Sequence, residues 1–191
     1  MARRSARDEP QVGAMIEDYS AHYRELHKSE KKFPGFSIKA ALPQIVMLVS
    51  GTKPRSILDY GCGKGRQYSE QNIHQQWGGM LPWLYDVGVP AFMERPAGAF
   101  DAVICTDVME HIAEPDVDAI LGDIFSFLPR RDDGGISFAA FWIACRPAKR
   151  KTLADGRNVH LTVQPEQWWQ RRLDAFKRPG LIINAGFDHE D

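Results

Sequence analysis

Residues 56–65 read Ser56-Ile57-Leu58-Asp59-Tyr60-Gly61-Cys62-Gly63-Lys64-Gly65. A short apolar run that ends in an acid and passes into alternate glycines predicts a buried strand over 56–60 and a turn over 61–65. Glycine in such a turn reaches positive φ and lets the backbone approach a ligand closely. The helix that follows opens with N–H groups that have no acceptor inside it. Ligands of open α/β sheets bind beyond the carboxyl ends of the strands. Gly61, Gly63 and Gly65 therefore stand where a ligand would lie. Asp59, at the strand end, is placed to accept hydrogen bonds from a ligand ammonium.

The flanking sequence predicts the rest of such a sheet. Further strands are expected over 80–85, ending at Asp86, over 100–106 (FDAVICT), over 136–144 (ISFAAFWIA) and over 181–184. Helices are expected over 12–28, over 37–50 with Ser37 as N-cap and Gly51 as its end, and over 66–76. Two more are expected over 116–128, with Val117, Ile120, Leu121, Ile124 and Leu128 at helical spacing, and over 165–176, with Pro165 at its start. Strands alternating with helices predict an α/β fold with a doubly wound, mostly parallel sheet. Only thirteen residues separate Asp86 from Phe100. A crossover helix plus another strand does not fit there, so one βα unit is expected to be missing or reduced to the stub 87–96. Residues 1–50 are expected to form an N-terminal helical cap and 51–191 the sheet core, within one compact domain.

Composition narrows the classes. The chain has 191 residues, which suits one domain and buries roughly 70% of the unfolded surface. The net charge is −1, so no global field draws it to nucleic acid or to a membrane. The basic opening, 1–7, reads as a frayed terminus. Cys62, Cys105 and Cys145 lie far apart in an odd set of three, which argues for a reducing compartment and against a structural zinc site. No apolar run approaches the ~20 residues of a membrane span, and 1–30 lacks the apolar core of a signal peptide. A cytoplasmic protein without membrane contact is expected, as a monomer or a homodimer.

Two rival glycine motifs fit poorly. The dinucleotide fingerprint needs a glycine directly after Gly65, where Arg66 stands, and a nucleotide P-loop needs Gly-Lys-Ser/Thr, whereas Lys64 precedes Gly65. Asp86, about twenty residues beyond the turn, is the kind of acid that holds both hydroxyls of an adenosine ribose.

Two segments together carry a resemblance. Ile57–Gly65, with its strand-end acid and Gly-x-Gly-x-Gly, resembles motif I of class I S-adenosylmethionine-dependent methyltransferases. Residues 100–112 (FDAVICTDVMEHI) resemble that family's fourth-strand motif, and Gly186-Phe187 resembles the pair found after its last helix. The resemblance spans about 55–187. It implies a Rossmann-like three-layer sandwich, reduced after the second strand, with the N-terminal helices, including Tyr23, folded over the pocket. It implies that S-adenosyl-L-methionine is the cofactor and S-adenosyl-L-homocysteine the product. By position, Asp59, Gly61, Cys62 and Gly63 would line the methionine end, Asp86 would hold the ribose, and Thr106, Asp107 and Val108 would flank the cofactor. The compressed stretch after Asp86 leaves the adenine contacts unassigned, and the usual final antiparallel strand pair is expected to be incomplete.

Methyl transfer needs alignment at about 3 Å and exclusion of water, and a base when the nucleophile carries a proton. Three residues are candidates for catalysis. Glu110 and His111 follow the 100–106 strand, and they serve either as acid–base groups or as pins for the next loop. His160 lies in the polar loop 146–163, where Lys149 and Arg157 either clamp an anionic acceptor or solvate the loop. Trp168 and Trp169, adjacent on a helix, point about 100° apart, so one ring is expected to pack in the core. His22, His27 and His74 have no metal spacing. His111, Glu114 and Asp116 form either a metal site or, the favoured reading, a set of solvated polar side chains, and no metal is expected. The acceptor is expected to be an oxygen or nitrogen of a small molecule. Nucleic acid is disfavoured by the charge and by the lack of an Asn/Asp-Pro-Pro-Tyr/Phe or a Pro-Cys motif. A non-catalytic cofactor-binding module is the other alternative.

Overall fold

One sheet contains five strands: β1 (Ile57–Tyr60), β2 (Trp83–Tyr85), β3 (Ala102–Thr106), β4 (Ser137–Ala144) and β5 (Leu181–Asp188). They lie in the order β2-β1-β3-β4-β5, and each neighbouring pair is parallel. The structure is a computed structural model that describes residues 24, 25, 28, 35–130, 134–149, 152, 153 and 155–189. Among the described residues four α-helices, each described along its whole length, accompany the strands: α1 (Leu42–Thr52), α2 (Arg66–Ser69), α3 (Val117–Ser126) and α4 (Glu166–Asp174). No described helix is long and apolar enough to cross a membrane.

Parallel strands covered on both faces read as continuous apolar runs. β1 and β3 are buried at every position. On one face Ile57, Ala102, Ile104, Phe138 and Ala140 meet Ile45, Leu48 and Val49 of α1. On the other, Leu58, Tyr60, Val103, Cys105 and Phe141 meet Ile120, Leu121 and Ile124 of α3 and Trp169 of α4. Trp169 is fully buried, while Trp168 keeps a partly open ring under the Arg172 guanidinium. The two tryptophans thus divide as their 100° offset requires.

The short connection after Asp86 contains neither strand nor helix. β2 is therefore the edge of the sheet, directly beside β1. The connection is closed by a turn in which the Asp86 N–H donates to the Phe92 carbonyl at 3.0 Å. Arg95 then anchors it, donating to buried Asp123 of α3 at 2.7 Å and lying 4.3 Å over the Phe127 ring. Tyr60 donates to the other Asp123 oxygen at 3.1 Å. Replacing Arg95 with Ala leaves that buried carboxylate with one fewer donor. A loss of about 1–2 kcal/mol is expected in urea unfolding, since Arg95 is half exposed and solvent screens part of the pair.

Several boundaries differ from the sequence reading. Of the helix expected over 12–28 only residues 24, 25 and 28 are described; Tyr23, His22 and His27 lie outside the described residues, as does most of the 1–50 cap. The helix expected over 37–50 begins instead as a 3-10 turn at Ser37–Lys39, and α1 starts at Leu42. Ser37 does not cap it, because its hydroxyl is drawn to Thr106, 3.1 Å from Oγ1 and 3.2 Å from the carbonyl oxygen. α1 runs through Gly51 and ends at left-handed Lys53. The helix expected over 66–76 breaks at left-handed Asn72 into α2 and a 3-10 turn, Ile73–Trp77. β2 is shorter than expected, while β5 runs on past Asn184 to Asp188. Gly186 and Phe187 are thus inside a strand. The Trp142 ring of β4 covers Gly186 where a Cβ would sit, so the strand needs glycine there. All five strands are parallel, and the described residues contain no antiparallel strand beside β5.

Candidate functional site

The chain leaves β1 for β2 on one side and returns to β3 on the other. That reversal opens a crevice between the carboxyl ends of β1 and β3, the usual ligand position of an open parallel sheet. The glycine turn borders it from β1 and residues 106–111 from β3. The two borders touch: a Cβ on Gly61 would collide with Val108 Cγ2, and Gly61 has φ +80. Gly61 and Cys62 both donate N–H to the Tyr85 carbonyl, at 2.8 and 3.2 Å, which ties the turn to β2.

Two acids shape the turn. Each Asp86 oxygen accepts one backbone N–H at 2.8 Å, from Gly63 and from Gly88. Asp59 is 1% exposed. Its Oδ2 accepts from Gln67 Nε2 at 2.9 Å and from Tyr68 Oη at 2.7 Å. Burial pushes its carboxyl up to about 7, against the two hydrogen bonds, which lower it, and with the help of the Asp86 charge. Burial and the same two acids push the Cys62 thiol up. Cys62 therefore stays protonated and lines the turn without nucleophilic character.

A second segment, invisible as such in the sequence, lies against the turn. Gly35 accepts the Gln67 N–H at 2.8 Å, and the Ile38 N–H donates to Gln67 Oε1 at 3.3 Å. A Cβ on Gly35 would stand 2.6 Å from the Cys62 carbonyl oxygen and from the Gly65 nitrogen. Residues 35–38 thus span the crevice from the glycine turn to Thr106. Gly35, Ser37, Gln67 and Tyr68 were not read as site residues. Pro34-Gly35 signals only a helix break, and the glycine's requirement for space arises from contact with a distant turn.

On the β3 side, Asp107 holds a left-handed backbone, φ 61, uncommon for a residue other than glycine. Glu110 is fully buried. Its Oε1 accepts the Ala144 N–H at 3.1 Å and its carbonyl accepts the Thr162 N–H at 3.0 Å. Burial first, and then the neighbouring Asp107 carboxylate, push its carboxyl well up. His111 is 4% exposed, and its Nδ1 donates to the Val159 carbonyl at 2.9 Å. His160 donates from Nδ1 to the Arg146 carbonyl at 2.6 Å, and its ring meets that of His111 edge-on at 4.9 Å. Glu110, His111 and His160, separated by fifty residues of sequence, are therefore one cluster. Glu110 and His111 pin the loop after β4. Arg157 pairs with Asp155 at 2.7 Å on the surface, so its charge is already met by a neighbouring acid.

Comparison with known proteins adds one match. A family model described as a methyltransferase domain matches residues 37–176. No curated protein and no solved structure matches the chain.

Proposed function

The chain belongs to the methyltransferase domain family, and we propose that it methylates an oxygen or nitrogen of a small molecule. Enzymes of this family take the methyl group from S-adenosylmethionine. The observation that carries the site assignment is the contact of Gly61 with Val108, which brings the glycine turn and the end of β3 together at the strand-order reversal. The donor set suits the cofactor: two carboxylates and a bent run of backbone groups form the glycine-turn border of the crevice, and the cofactor brings a cationic methionine end and a ribose diol. We assign the methionine end to Asp59, Gly61, Cys62 and Gly63, the ribose to Asp86, and the flank to Thr106, Asp107 and Val108. An ionised carboxylate has about four acceptor positions, so Asp86 can hold the turn and a ribose together.

The cofactor supplies a methyl group on a good leaving group. The protein's own work is then to orient the acceptor in line and to keep water out. Residues 35–38, stretched over the crevice, serve exclusion. His160, only partly buried, is the group we assign to the acceptor side of the crevice. Support for a small acceptor comes from the net charge of −1, which supplies no field for a polyanion.

Calorimetry with S-adenosylmethionine, S-adenosylhomocysteine and NAD tests the reading. The two sulfur ligands are expected to bind and NAD is not. Asp86→Ala is expected to weaken both by roughly 1–3 kcal/mol, because it removes hydrogen bonds to a charged acceptor and loosens the Gly63 turn. Absence of binding by either sulfur ligand would refute the assignment.

A further inference from the structure

We propose that Asp107, Glu110, His111 and His160 form a binding site for one divalent first-row transition-metal ion, such as zinc, manganese or iron(II). One ligand atom from each residue lies within 4.8 Å of all the others. A cation with bonds of ~2.0–2.2 Å draws such a set closed by small side-chain movements.

Three features make this a built site and not a chance meeting of acids. Glu110 is fully buried; its Oε2 accepts no hydrogen bond from any described residue, and the side chain it meets is a second carboxyl group, Asp107. A buried carboxylate oxygen left so beside the second carboxylate of Asp107 is costly, and a dication removes both the desolvation and the repulsion. Both imidazoles are held in the manner of metal ligands. A carbonyl can only accept, so Nδ1 of His111 carries its proton toward Val159 and Nδ1 of His160 carries its proton toward Arg146, at 2.9 and 2.6 Å. In each neutral ring Nε2 is then the lone-pair nitrogen, and the carbonyl fixes the ring's orientation. Finally, Asp107 sits in a left-handed backbone at φ 61. Unfavourable backbone of this kind persists where the surroundings over-determine it, and such places cluster at ligand clamps.

Two imidazoles with two carboxylates form a mixed nitrogen–oxygen set. Magnesium and calcium prefer oxygen alone, whereas imidazole suits zinc, iron and nickel, and carboxylate suits manganese. The ligands come from two segments, the turn after β3 and the loop after β4. The cation therefore fastens the loop carrying His160 to the turn that touches Gly61. No metal is expected from the sequence, in which His111 lies near Glu114 and Asp116 but forty-nine residues from His160. Glu114 instead accepts Gln164 on the surface.

The test uses the full chain, stripped with a chelator and titrated separately with zinc, manganese, cobalt and magnesium chlorides by calorimetry. One transition ion per chain is expected, with magnesium much weaker. Cobalt(II) is expected to show visible absorption of nitrogen–oxygen coordination. Glu110→Gln and His160→Ala are each expected to weaken binding by at least the ~10–100-fold that loss of an outer-shell partner costs. His189→Ala, on an exposed histidine outside the cluster, changes nothing. Unfolding curves of the stripped variants show whether each is folded. Failure of the wild-type chain to take up any of these transition ions at one per chain, or uptake unchanged in a folded variant, overturns the site. Titration with S-adenosylmethionine in the same cell keeps the questions apart: metal uptake without cofactor binding refutes the proposed function and leaves the metal site standing.

Discussion

Alanine at position 35 is expected to cost about 2–6 kcal/mol of stability and most of the cofactor affinity. Two effects combine. Gly35 has φ +76, a conformation that costs a side-chain-bearing residue about 1–3 kcal/mol. The new Cβ also meets backbone, at 2.6 Å from the Cys62 carbonyl and from the Gly65 nitrogen. Backbone cannot swing aside as a flexible side chain does, so either the strap 35–38 lifts or the glycine turn moves. Forced overpacking of this kind adds about 1–3 kcal/mol. Gly98→Ala is the matched control: Gly98 has φ +85 with nothing within 4 Å of the added Cβ, so it carries the conformational cost alone. Denaturant unfolding of both variants, with calorimetry of S-adenosylmethionine, reads the difference. Equal losses at 35 and 98 would show that the strap does not press on the turn.

The second large effect is a pH dependence centred on Asp59. Its carboxyl is pushed from 3.8 up to about 7 in the folded chain. Because the folded value is the higher, the native state holds the proton more tightly than the unfolded chain does. The stability it contributes is complete below about pH 4 and is lost as pH rises through about 7. The full span is about 4 kcal/mol for a group this deeply buried. Asp59→Asn cannot titrate. The stability of the wild-type chain relative to that variant is therefore expected to fall by about this amount between pH 4 and 8. Urea unfolding of both proteins across that range measures it, and a constant difference would show that Asp59 ionises at an ordinary carboxylate value. Cofactor affinity is expected to run the other way. A cationic methionine end favours the ionised carboxylate, so binding strengthens as pH rises through about 7 and releases a proton. Calorimetry in buffers of different ionisation enthalpy counts that proton.

The positions of these groups were legible to unequal degrees. β1 and the glycine turn were readable because a run of only four buried residues between a turn and three glycines has few alternatives. β3 and β4 were readable because strands covered on both faces are apolar throughout. α2 and its 3-10 continuation were misread as one helix, since the left-handed Asn72 that breaks it lies within an otherwise helical polar pattern. Ser37 was misread as a cap because the same hydroxyl serves equally well as a partner for a strand end sixty-nine residues away.

By itself the sequence determined the parallel α/β sheet, the turn at 61–65, the acids Asp59 and Asp86, and the loss of a unit after β2. These rest on local rules: alternation, chain length and the conformational range of glycine. Tertiary structure alone decided that Gly35 lies on the glycine turn, that Asp59 is sealed under Gln67 and Tyr68, and that His160 joins Asp107, Glu110 and His111. Each of those is an approach between segments far apart in the chain. Their energies depend on distance and burial, which residue order does not carry until the sheet has brought its carboxyl ends together.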